Sequence, residues 1–138
     1  MNGEVFLDSG IFIAFLVRRD RQHKAAEALF SSPPQRWCTS VLVIAETYSW
    51  FLHRYGEDAA RSFRSLLEEF PDLQLLDAGP LHHEAVGKKL DALRGNKLTY
   101  VDASSLIWLA ERKIQTVWGT DNHLAIEGSA VTPGPPDL

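Results

Sequence analysis

Short apolar runs alternate along this chain with longer stretches of helical period, and few folds accommodate that order. The runs are Val5-Phe6-Leu7, Trp37-Cys38-Thr39, Leu73-Gln74-Leu75-Leu76, Ile114 to Trp118, and Ala130-Val131. Each has the length of a strand. Between them, apolar spacing and end signals predict helices over residues 9–17, 21–31, 41–55, 57–70, 80–94 and 100–113. Strands separated by helices predict an α/β fold: a mostly parallel sheet of four to five strands with helices on both faces. At 138 residues the chain suits one core. Residues 1–132 read as a single domain, and residues 133–138, with Pro133, Pro135 and Pro136, read as a Pro-rich C-terminal tail.

Several predicted boundaries carry their own chemistry. Ser40 is placed to cap the helix from Val41, and Gly56 to end it. Pro71 closes the next helix, and Pro80 suits a first helical position. Thr99 and Asp102 have the spacing of a capping box, which puts Asp102 in the first turn of its helix.

In an open α/β sheet, ligands bind beyond the carboxyl ends of the strands. Asp8 follows the first strand and Asp121 the fourth, while Asp102 opens the helix that leads into the fourth. Glu46 interrupts the apolar run Val41 to Ala45, with no basic residue within one turn; His53 stands seven positions on. A carboxylate there needs a cation or strong hydrogen bonds to offset its desolvation. If Asp8, Glu46, Asp102 and Asp121 converge, they repel one another, and oxygen ligands without Cys or His suit Mg²⁺ or Mn²⁺. Taken singly, Asp8, Asp102 and Asp121 also read as helix caps, and Glu46 as half of a structural salt bridge. Ser9 and Thr120 adjoin the acids as caps or hydrogen-bond donors to them.

Charge bears on the partner. The net charge of −4 weighs against a broad basic face for nucleic acid. Two local clusters run the other way: Arg18, Arg19, Arg21, His23 and Lys24, and Lys88, Lys89, Arg94 and Lys97. Such runs are more often solvated helix faces. A metal bound by the acids would itself attract phosphate. The single cysteine, Cys38, cannot form an internal disulfide and reads as a small buried hydrophobe, in keeping with a reducing cytoplasm. The apolar run from Ile11 to Val17 is too short to cross a bilayer.

Other chemistries fit less well. His82-His83-Glu84 lacks the second histidine of a zinc-protease motif, and neither a nucleophile elbow nor a phosphate-binding glycine loop is present. A phosphoacceptor receiver domain, with Asp77 as acceptor, would want paired acids where Asp8-Ser9 stands. A haloacid-dehalogenase-like phosphatase would want Asp-x-Asp, which Gly10 denies. The four tryptophans lie in apolar stretches and read as core.

The four acidic segments, Val5-Phe6-Leu7-Asp8-Ser9, Thr39 to Glu46, Leu98 to Ala103 and Gly119 to Leu124, resemble in order those of the PIN-domain family, and of its short VapC-type toxins in particular. That resemblance implies a PIN-like three-layer α/β/α fold, Mg²⁺ or Mn²⁺ dependence, and endoribonuclease activity with Asp8, Glu46, Asp102 and Asp121 as catalytic and metal-holding residues. It also implies a small antitoxin partner and a homodimer. A PIN-like module that binds RNA or protein without catalysis is the alternative expectation.

Overall fold

Val5, Phe6 and Leu7 are almost wholly buried, as a strand covered on both faces requires. They belong to β1 (Glu4–Leu7), the middle strand of a five-stranded sheet in the computed structural model, which describes residues 3–33 and 35–136. The chain continues through α1 (Ser9–Leu16), α2 (His23–Ser31), β2 (Arg36–Ser40), α3 (Val41–Tyr55), α4 (Glu57–Leu67) and β3 (Gln74–Leu76). It ends with α5 (Pro80–Ala92), α6 (Tyr100–Arg112), β4 (Thr116–Gly119) and β5 (Ala130–Pro133). All six expected helices and all five strands are present, and every strand pair is parallel.

The strand order is β3-β2-β1-β4-β5. From β1 the chain steps outward to β2 and β3, then crosses back to β4 on the other side of β1. Right-handed crossovers therefore lay α1 to α4 over one face and α5 and α6 over the other. The order reverses between β1 and β4, so a crevice opens at their carboxyl ends. The strand ends are held in step there, because Asp8 N–H donates to the Trp118 carbonyl at 3.0 Å.

The core on the α1 to α4 side is aromatic. Phe12 meets Phe63 edge-on at 5.2 Å, Phe30 meets Trp118 at 5.2 Å, and Trp37 meets Phe70 at 5.0 Å. Cys38 is fully buried. Glu4, a charge within β1, is satisfied by a two-pronged contact from Arg112 at 3.2 and 2.7 Å, the geometry that makes a buried carboxylate tolerable.

The helix ends follow the expected chemistry. Ser40 Oγ accepts from Val43 N–H at 3.1 Å, Gly56 leaves α3 at φ 96°, and Thr99 with Asp102 forms the capping box of α6. Two boundaries differ from the sequence reading. Helix α4 stops at Leu67, short of residue 70, because the chain must leave the helical region ahead of Pro71. The expected tail begins later than Pro133, since β5 includes that residue and Gly134 is buried: its N–H donates to the Gly119 carbonyl at 2.9 Å and its carbonyl accepts from Gln22 Nε2 at 2.6 Å. Residues 137–138 of that tail, like residues 1–2, lie outside the described residues.

Candidate active site

The crevice between β1 and β4 is lined by acids from four separate elements. Asp8 follows β1 and takes the N-cap position of α1, where its carboxylate accepts from the adjacent Ser9 amide and makes no conventional cap bond further into the helix. It is instead 7% exposed, at the bottom of a cleft of about 840 Å³. Glu46 reaches the cleft from the second turn of α3, held half-buried there with the Ser9 hydroxyl donating to its carboxylate. Asp102 comes from the first turn of α6, where its Oδ2 accepts from Thr99 N–H at 3.2 Å. Asp121 follows β4, and its Oδ1 accepts from His123 N–H at 2.9 Å. Asp102 thus serves as a cap and Asp121 as the acceptor of a local turn, while both wall the cleft.

Ser9 and Thr120 line the same cleft. His123 stands between two of the acids, with Nδ1 3.5 Å from Asp102 Oδ2 and 3.4 Å from Asp121 Oδ1. The sequence offered no histidine pair by spacing, whereas the fold brings His53 and His123 to one cleft.

Crowding and burial set the electrostatics. Burial, more than any other cause, lifts the Asp8 carboxyl from 3.8 to about 7. The charges of Asp121, Asp102 and Glu46 push the same way, against a hydrogen bond from the Ser9 amide. Burial also raises Glu46, with Asp102 and Asp121 adding to it and the Ser9 hydroxyl opposing. Both carboxyls are therefore poised to gain from a cation in the cleft.

Among the described residues, no three His, Cys, Asp or Glu side chains stand close enough to enclose an ion alone. An ion that keeps much of its own water needs only one or two carboxylates directly, which is how Mg²⁺ is commonly held. The hard oxygen donors and the uncompensated charge suit such an ion.

The PIN domain is matched by residues 5–125 of the sequence. The chain belongs to the PIN-domain family. Among solved structures, this PIN domain is similar to VapC20 of Mycobacterium tuberculosis, a toxin that cleaves the sarcin-ricin loop. The identity is 23% and the TM-score 0.83, over 91% of this chain and 96% of that one. It is also similar to a chain of a toxin-antitoxin complex from Klebsiella pneumoniae, at 19% identity and a TM-score of 0.59, over 91% and 95%. At these identities the likeness is one of fold. No curated protein matches the chain in sequence.

Four residues that the sequence did not assign to the site also line the PIN-domain cleft: Ser49 and Arg54, Trp50, which reads there as core, and His53, noted only for its distance from Glu46. Their signal lay in the period of α3. They follow Glu46 by three, four, seven and eight positions, the spacings of one helix face. Trp50 corrects an expectation, since it packs against the core on one side and borders the cleft on the other.

One glycine is fixed by close approach. A Cβ on Gly10 would lie 2.1 Å from Thr120 Oγ1 and 3.2 Å from Thr120 N. Gly10→Ala is expected to cost about 1–3 kcal/mol of stability, as overpacking does, and to displace Thr120 beside Asp121. Chemical denaturation checks the cost; an unchanged midpoint would mean that the Thr120 side chain turns aside freely.

Proposed function

We propose that this PIN domain is a metal-dependent endoribonuclease and the toxin of a toxin-antitoxin pair. The observation that carries the reading is the meeting of Asp8, Glu46, Asp102 and Asp121 in one cleft at the point where strand order reverses. The likeness to VapC20, a toxin that cleaves RNA, supports it, and so does the likeness to a chain of a toxin-antitoxin complex.

Asp8, Glu46, Asp102 and Asp121 would hold Mg²⁺ or Mn²⁺. When bound, the ion supplies positive charge to the cleft, makes water more acidic and steadies charge on phosphate oxygens. The rest is done by the chain. Ser9 fixes the Glu46 carboxylate through its hydroxyl. His123 and the α6 cap fix Asp102, and the His123 amide fixes Asp121. Thr120, packed on Gly10, sets the path of the strand end.

Water is the nucleophile in this reading. Its oxygen bonds to phosphorus as the bond to the 3′ oxygen breaks; its proton leaves by way of the cleft carboxylates, and the 3′ oxygen takes up a proton. The products carry 5′-phosphate and 3′-hydroxyl ends. The partner would be a small antitoxin whose Arg or Lys enters the acidic cleft, where a cation is wanted. The toxin would act in the cytoplasm as a homodimer.

End-group analysis of RNA incubated with the pure protein and Mn²⁺ tests the chemistry. The expected products are 5′-phosphate and 3′-hydroxyl ends, with cleavage lost in EDTA. Cyclic 2′,3′-phosphates, or full activity in EDTA, would transfer the chemistry to His53 and His123. No cleavage of any RNA would leave the non-catalytic module.

A further inference from the structure

The face of α3 that carries Glu46 into the cleft does not end there. Eight residues further on, Arg54 lies with its guanidinium 5.0 Å from the centre of the Trp50 ring, and both border the cleft. Trp50 in turn meets the ring of Tyr55 at 5.8 Å. Tyr55 is 49% exposed and opens a second groove, of about 440 Å³, whose other wall includes Arg18 and Arg19. These two belong to the basic segment that the sequence shows between α1 and α2. Among the described residues, Arg18, Arg19 and Arg54 form no ion pair. Aromatic surface and cations not held in ion pairs therefore adjoin, leading away from an acidic floor.

We propose that a single strand of RNA runs along this face: Trp50 stacks a base beside the scissile phosphate, Arg54 holds a neighbouring phosphate, and Arg18 and Arg19 hold phosphates beyond Tyr55. The proposal rests on the nuclease reading and names how its substrate is held. Aromatic rings alternating with cations suit unpaired nucleotides, because a stacked base must first leave its partner strand. A duplex hides its base faces. A basic peptide is disfavoured by the three arginines, which leaves RNA as the better match in charge. The same arrangement explains how a chain of net charge −4 takes a polyanion, with its positive charge gathered on the approach and not spread over the surface.

The experiment uses the full chain carrying Asp8→Asn, in Mg²⁺ buffer, with a short fluorescein-labelled RNA that cannot pair with itself. Trp50→Leu is expected to weaken binding about tenfold, as loss of one stacked base does. Trp50→Phe, which keeps a ring, should retain most of the affinity and confirm that loss of the fold is not the cause. Arg54→Gln, and Arg18→Gln with Arg19→Gln, should each weaken binding and lower the slope of log affinity against log salt by about 0.7 per arginine removed, the value for single strands. A hairpin stem should bind about tenfold more weakly than the strand. In the Asp8-containing chain the same substitutions should raise KM for the strand.

Affinity and salt slope unchanged in these variants would overturn the path even if the parent cleaves RNA. Equal binding of stem and strand would remove the role of Trp50, and equal competition by an acidic peptide would make the face a protein surface. If the parent cleaves nothing while the binding losses appear as expected, the nuclease reading fails and the path stands.

Discussion

Replacing Asp8 with asparagine is expected to do two opposite things, lowering RNA cleavage by about 10²- to 10³-fold while making the metal-free protein more stable. The first effect follows from charge. A bound divalent ion contributes several kcal/mol to the stabilisation of a phosphoryl transition state, and each 1.36 kcal/mol is a factor of ten in rate. Asp8 is the most buried of the four acids and lies nearest the switch between β1 and β4, so an amide there weakens the cation site at its base. The second effect follows from burial. At pH 8 the parent keeps an ionised carboxylate in a nearly closed position against three other acids, with a hydrogen bond from the Ser9 amide only partly offsetting the cost. Asparagine fills nearly the same volume without the charge, and a gain of about 2 kcal/mol is expected, allowing for an amide less well matched than a carboxylate to the Ser9 N–H. Cleavage rate and melting temperature are measured on the same preparations. Full activity would reduce Asp8 to a strand terminator, and a lower melting temperature at pH 8 would mean that its charge is compensated within the fold.

Much of this was visible in the order of residues. Short runs such as Val5-Phe6-Leu7, set between helical stretches, have the length of strands, and the caps at Ser40, Gly56, Pro80 and Thr99 act over three or four residues, so local sequence determines them. The acids were legible because their positions relative to strand ends are also local. The rest depended on contacts between distant segments. The Ser9 hydroxyl on Glu46, His123 beside Asp102, and Thr120 against Gly10 each join different elements, and only the packing of α1, α3 and α6 around the paired ends of β1 and β4 brings them together. Trp50 misled for a related reason: a tryptophan in an apolar helix has a buried side and an open side, and sequence does not say which the neighbours cover. The strand through Pro133 was hidden by composition, because proline suggests an end, yet β5 is an edge strand and can accommodate one.

The metal-free protein is expected to lose stability as the pH rises from about 4 to 7, the reverse of the usual behaviour of a carboxylate. A native carboxylate stabilised by a cation has its pKa lowered on folding, and its contribution disappears in acid. Asp8 is raised on folding, from 3.8 to about 7. Over that interval the folded chain binds the Asp8 proton and the unfolded chain has released it, so unfolding liberates a proton and becomes easier with every step upward in pH. The contribution is full below the unfolded value, is lost through the folded one and is flat above it. For Asp8 alone the whole change is about 4 kcal/mol, a large part of the stability of an ordinary domain. Glu46 is also raised and adds to the fall. His82 opposes it: burial lowers its pKa, so its contribution is present above the ordinary histidine range and is lost as the pH falls. Comparison with Asp8→Asn separates these, since that variant keeps His82 and Glu46 and should lack most of the decline. Mg²⁺ or Mn²⁺ competes with protons for the same carboxylates, so added ion should stabilise the parent strongly at pH 8 and weakly at pH 5. Thermal unfolding in EDTA across pH 5 to 8, followed by titration with either ion at both ends, measures every part of this. A melting temperature in EDTA that is level or rises from pH 5 to 8, equally in parent and Asp8→Asn, would show that Asp8 is already ionised at pH 5 and that the cleft acids do not share their charge.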